Sequence, residues 1–106
     1  MKHLTILVPE GQSNLSTIAC IVGAYEIFNA ANDRRKADGR KELFKVELAG
    51  VSKQAEFGNG LLMVNTQALI SDINKTDLIV IPSLTHELKH FSKGNQQLAD
   101  WIVRQY

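Results

Sequence analysis

With 106 residues, 44% of them hydrophobic, and 12 basic against 11 acidic side chains, the chain has the composition of one globular domain or part of one. Its net charge of +1 sets up no field that would draw nucleic acid or an anionic membrane onto this stretch. The single cysteine, Cys20, excludes an internal disulfide and suits a reducing compartment. No leader opens the sequence and no run approaches the roughly 18 apolar residues of a membrane span, so a cytoplasmic location without a membrane partner is expected.

His3–Val8 reads as a strand, almost wholly apolar and β-branched, closed by Pro9. Residues 9–14 form a polar loop, after which a helix is expected, capped by Ser13, Asn14 or Ser16. Ile18, Ile21, Val22, Tyr25 and Phe28 fall at helical spacing on one apolar face, with Glu26 solvated and Cys20 a buried, unreactive thiol. Gly23, Ala19, Ala24, Ala30 and Ala31 would let the backbone approach the sheet or a partner closely. Asn32–Lys41 reads as a solvated connection in which acids interleave the bases, which argues against nucleic-acid contact.

Phe44–Gly50 alternates as a strand with one more exposed face. Glu56–Gly60 reads as a turn and Leu61–Val64 as a short strand, a small hairpin, while Ala68–Ile73 reads as a short helix or turn. Leu78–Ile81 is an unbroken apolar run entered from Asp77 and stopped by Pro82, the pattern of a central strand covered on both faces. Asn95–Tyr106 reads as a helix with Leu98, Trp101, Ile102 and Gln105 spaced along it. Strands alternating with helices predict an α/β fold with a mostly parallel sheet and right-handed crossovers. Too few elements are present to cover both faces, so either a partner completes the sheet or the chain is a piece of a longer protein; the piece is favoured.

In such sheets ligands bind beyond the carboxyl ends of the strands. That rule makes Glu10, Gly11 and Ser13, and Ser83, Leu84 and Thr85, the candidate ligand-binding residues. His86-Glu87-Leu88-Lys89-His90 matches the zinc-protease signature literally, but it follows a sheet strand directly and no later histidine supplies a third ligand. It is read as chance, and no metal, cofactor or catalytic residue is expected. Gly58-Asn59-Gly60 lacks the third glycine and following helix of a dinucleotide loop and is read as a turn.

Three pieces together, Leu4–Gly11, Gly23–Asn32 and Thr76–Pro82, resemble the PfpI branch of the class I glutamine amidotransferase-like superfamily. The middle piece, Gly-Ala-Tyr-Glu-Ile-Phe-Asn-Ala-Ala-Asn, is most similar to the sensing domains fused to AraC-type helix-turn-helix modules, and Gly60–Val64 fits the same branch. The resemblance spans Leu4 to Trp101. It implies a flavodoxin-like sandwich of which residues 1–106 are the N-terminal part, incomplete at the C-terminus, with a cysteine-bearing nucleophile elbow beyond residue 106.

Two departures stand out. Ser83-Leu84 takes the place of the Gly-Gly pair whose backbone N–H groups help stabilise an oxyanion in PfpI-type enzymes, and Ser13–Ser16 lacks the acid that holds their cysteine. Both fit a non-catalytic, ligand-sensing domain of an AraC-type transcription regulator, acting as a homodimer on a small-molecule effector and reading DNA only through a downstream domain. The alternative is a truncated PfpI-type enzyme (hydrolase, hydratase or glyoxalase-like). A receiver-like interaction domain ranks last, because only Glu10 represents the acidic cluster such domains carry at their strand ends.

Overall fold

The computed structural model describes residues 1–9, 15–58, 60–82 and 93–105. Its centre is β1 (Lys2–Leu7), in which Leu4 to Leu7, and Val8 just after it, are at most 2% exposed, including the polar Thr5. Burial on both faces explains why this strand shows no polar alternation. β2 (Phe44–Gly50) lies parallel on one side of β1 and β6 (Leu78–Val80) parallel on the other, while β5 (Ala68–Leu69) extends the sheet beyond β2. The order is β5-β2-β1-β6, all parallel, and β3 (Gln54–Phe57) and β4 (Leu62–Asn65) form a separate antiparallel hairpin.

Alternation along β1 builds two cores. Leu4, Ile6 and Val8 pack with Ile21 of α1 (Ser16–Ala37) and with Ala55 and Phe57 of the hairpin. Leu7, on the opposite face, packs with Ala49, Ile70, Ile73, and Leu98 and Trp101 of α2 (Lys93–Gln105). Each of the larger aliphatic and phenyl side chains among them contributes about 1.5–3 kcal/mol by leaving water. The result is the expected flavodoxin-like α/β arrangement, a parallel sheet between helical layers.

Several expectations need correction. Leu78–Ile81 is not a central strand covered on both faces: β6 is the end strand of the described sheet, with Leu78 44% and Ile81 55% exposed. Its apolar run reflects Ile79 and Val80, which face opposite cores. Ala68–Ile73 opens with the two-residue strand β5 before a 3-10 turn at Ile70–Asp72. Glu56 and Phe57 belong to β3, so the turn is confined to the residues around Gly58 and Gly60, both at positive φ.

The first helix runs on to Ala37, into the stretch expected to be a connection, and begins after Leu15 with no side-chain cap; Ser16 is its first residue, and Ser13 and Asn14 lie outside the described residues. Helical phase puts Thr17 and Ile21 inward, which turns Val22 (51% exposed) and Cys20 outward, so that thiol is exposed rather than buried. Asn32, expected to be solvated, is buried. Its Nδ2 donates to Phe44 O (2.8 Å), and its Oδ1 accepts from Leu43 N (3.2 Å) and Phe44 N (3.1 Å), joining the helix to the start of β2. Among the described residues no helix is long and apolar enough to cross a membrane.

Candidate functional site

Parallel register sets Leu4 level with Leu78, Thr5 with Ile79 and Ile6 with Val80. Continued by two residues, it sets Val8 level with Pro82, and both Pro9 and Pro82 are buried. The two proline-closed tips therefore share one edge of the sheet. β2 reaches the same edge: Val8 N donates to Ala49 O (2.8 Å), and a Cβ on Gly50 would stand 3.1 Å from Val8 O and 3.2 Å from Thr66 Cγ2. A side chain at Gly50 would crowd this junction, and Val8 O and Thr66 Cγ2 would have to give by a few tenths of an ångström.

The candidate residues Glu10, Gly11, Ser13, Ser83, Leu84 and Thr85 lie outside the described residues, as does His86–His90. The structure brings together the points where their segments leave the sheet, at Pro9 and Pro82. Among the described residues no group of three His, Cys, Asp or Glu could hold a metal ion.

Next to this edge, between the base of the hairpin and β5, lies a cleft of about 750 Å³ that sequence reasoning missed. Lys53, Gln54, Asn65, Gln67 and Asp72 are among its lining residues, so it offers amides and one charge of each sign. Several of its polar groups are fixed in place: Gln54 Nε2 donates to Asn65 Oδ1 (3.0 Å), and Thr66 Oγ1 donates to Ser52 O (2.9 Å). Gln67 mimics a strand neighbour, its Oε1 accepting from Leu48 N (2.9 Å) and its own N–H donating to Leu48 O (2.8 Å). Only hairpin register makes Gln54 and Asn65 opposite neighbours, a pairing that composition does not announce.

A second polar cluster sits near the opposite, amino end of the strands. His3 Nε2 lies 2.6 Å from Glu47 Oε1, and His3 Nδ1 lies 2.8 Å from Thr76 Oγ1. The carboxylate can only accept, so Nε2 carries a proton. Carboxylate, imidazole and hydroxyl in line have the composition of a nucleophile relay. Here the Thr76 hydroxyl is shared instead among Thr5 Oγ1 (2.9 Å), His3 O (3.1 Å) and Leu78 O (3.2 Å), and Thr76 N donates to Gln105 Oε1 (3.2 Å). The cluster is a clasp tying β1, β2, the entry to β6 and α2.

Asp77 completes the clasp, its Oδ2 accepting from His3 N at 2.8 Å. That hydrogen bond, opposed by desolvation and helped by the nearby charges of Lys2 and Lys75, holds the Asp77 carboxyl below its ordinary value. A carboxyl depressed on folding stabilises the fold above its unfolded value, near pH 4, and this contribution disappears as pH falls through the lower folded value. Asp77→Asn is accordingly expected to flatten the acid limb of a stability-against-pH curve below about pH 4 while leaving its neutral plateau shape unchanged. Urea midpoints measured from pH 2 to 7 would check this, and an unaltered acid limb would refute it.

The parallel sheet between helical layers defines a flavodoxin-like α/β domain in which the carboxyl ends of β1 and β6 share one edge. No family model matches the chain, and no curated protein matches it. Among solved structures it is similar to a proposed transcriptional regulator from Vibrio parahaemolyticus, with a TM-score of 0.72 and 22% identity over 98% of this chain and 50% of that one. A second structure, the VC2308 protein, has a TM-score of 0.43 at 14% identity, over 98% of this chain and 48% of that one. The chain thus spans about half the length of the structures it matches.

Proposed function

We propose that this chain is the non-catalytic, ligand-sensing part of a transcription regulator of the AraC type. The observation that carries the reading is the fold likeness to the Vibrio regulator across 98% of this chain, which leaves half of that protein for other work such as DNA contact. A net charge of +1 supports the same division, since nothing here is basic enough to hold a phosphate backbone. A small, polar metabolite binds at the carboxyl edge, where Glu10, Gly11, Ser13, Ser83, Leu84 and Thr85 follow the strand tips and the amide-lined cleft opens alongside. Binding shifts a homodimer between arrangements that differ in their affinity for DNA, by ordinary linkage.

The experiment compares binding of promoter DNA by the full-length protein and by residues 1–106, with and without candidate polar metabolites. Binding by the full-length protein alone, altered by a metabolite, is the expected result. DNA binding by residues 1–106 alone, or hydrolase, hydratase or glyoxalase activity in the full-length protein, would overturn the reading.

A further inference from the structure

The described sheet has two ends, and they are built differently. β5, at one end, is two residues long, the kind of short edge that keeps natural sheets from pairing with other chains. β6, at the other, is Leu78-Ile79-Val80 running on into Ile81, with no charged residue along it, and Leu78 and Ile81 stand 44% and 55% exposed. Alternate backbone groups of such a strand point away from β1, and no described strand pairs with them. β6 has the composition of an inner strand and none of the devices that protect an edge.

The crossovers show which way the chain moves on each face. The connection from β1 to β2 passes over the face of Leu4, Ile6 and Val8, through Ile21 of α1. The connection from β2 to β5 passes over the same face, through Ala55 and Phe57 of the hairpin. Both carry the chain outward from β1. The return from β5 to β6 passes over the other face, through Ile70 and Ile73, and runs in the opposite sense, across β2 and β1. One hand accounts for all three, as the near-invariant right-handed crossover of parallel strands requires. α2 follows β6 and lies on the second face, where Leu98 and Trp101 pack with Leu7 and Ala49. A fourth crossover of the same hand moves on in the sense of the third and sets its strand against the outer side of β6.

We propose that the outer side of β6 is an inner seam of the sheet, occupied in the full-length protein by a parallel strand of the same chain that starts within about ten residues of the end of α2. Side chains of that strand flank Leu78 on one face and Ile81 on the other. Two-fold pairing of β6 with β6 of a second copy would run antiparallel, and it would leave the chain after α2 no place on the sheet that the crossover rule allows. The Vibrio structure that shares this fold has half of its chain outside the match, ample length for such a strand. The proposal takes from the regulator reading only that the chain continues past α2. Its failure shows in hydrogen exchange, and failure of that reading shows in DNA binding.

Hydrogen exchange of the full-length protein, resolved residue by residue by NMR, tests it. The amides of residues 78–81 that point away from β1 are expected to exchange at least about 1,000-fold slower than in an unfolded chain. This protection should be unchanged over a dilution of about 100-fold, with nuclear Overhauser contacts to a parallel segment shortly after α2. Ile81→Lys, harmless at an open edge, should lower the melting temperature by about 5–10 °C, because the added strand takes this side chain out of water. Exchange of those amides within about 10-fold of an unfolded chain, protection lost on dilution, contacts to an antiparallel segment, or a melting temperature unmoved by Ile81→Lys would overturn it.

Discussion

Replacing Trp101 by alanine is expected to destabilise the fold by about 3–5 kcal/mol, the largest single loss expected among the described residues. Trp101 is 2% exposed and heads the fully buried side chains by volume. It fills the space between α2 and the segment from Ile70 to Ile73, beneath Leu7 and Ala49. Its indole N–H also donates to Ile73 O at 3.0 Å in a buried setting, so truncation leaves both a void and an unmatched carbonyl. Trp101→Phe keeps much of the ring and loses the bond, and should cost roughly 1–3 kcal/mol. Urea unfolding followed by circular dichroism would read both, since Trp101 is the single tryptophan and its own fluorescence vanishes with it. Equal costs for the two variants would mean that packing contributes little beyond the hydrogen bond.

Asn32→Ala is expected to cost about 3 kcal/mol, although it removes only an amide. The Asn32 side chain satisfies two N–H groups and one carbonyl at the start of β2, and it is 4% exposed. Alanine would strand all of these where water reaches them poorly, at about 1–3 kcal/mol for each group that stays dry. Asn32→Asp separates the roles: the acceptor for Leu43 N and Phe44 N survives, but a carboxylate then faces Phe44 O. Asp should rescue part of the loss below pH 4, where it protonates and can donate again. A cost under 0.5 kcal/mol for alanine would show that water replaces the amide.

Much of the layout was legible from local pattern. The apolar run 4–8 between polar residues and a proline, and the 98/101/102 spacing of α2, predict their elements because those side chains meet the core directly. What failed to show was decided across the chain. β6 has the same apolar pattern as β1 but stands at the end of the sheet formed by the described residues, since a run of apolar residues reports hydrophobicity and not the number of neighbours. Asn32 is polar by composition and buried by partnership with residues eleven and twelve positions on. Cys20 is turned outward by a helical phase that Thr17 and Ile21 set. The polar cleft arises from the pairing of Gln54 with Asn65, a register no short window contains.

The Asn32 bonds carry one more implication, for how the chain tolerates growth. They pin the entry to β2 against the helix body, while the helix ends in its own backbone bonds from Asp38 N, Gly39 N and Arg40 N to Arg34, Lys36 and Arg35 carbonyls. The span between those anchors is tied to the helix, Arg35 Nε donating to Lys41 O (2.8 Å) and Lys36 Nζ pairing with Glu42 Oε1 (2.6 Å). Extra residues spliced after Lys41 would lengthen a tethered bight whose closure entropy rises only as the logarithm of its length. A fluorescent reporter or an affinity tag could be housed there without displacing a single strand.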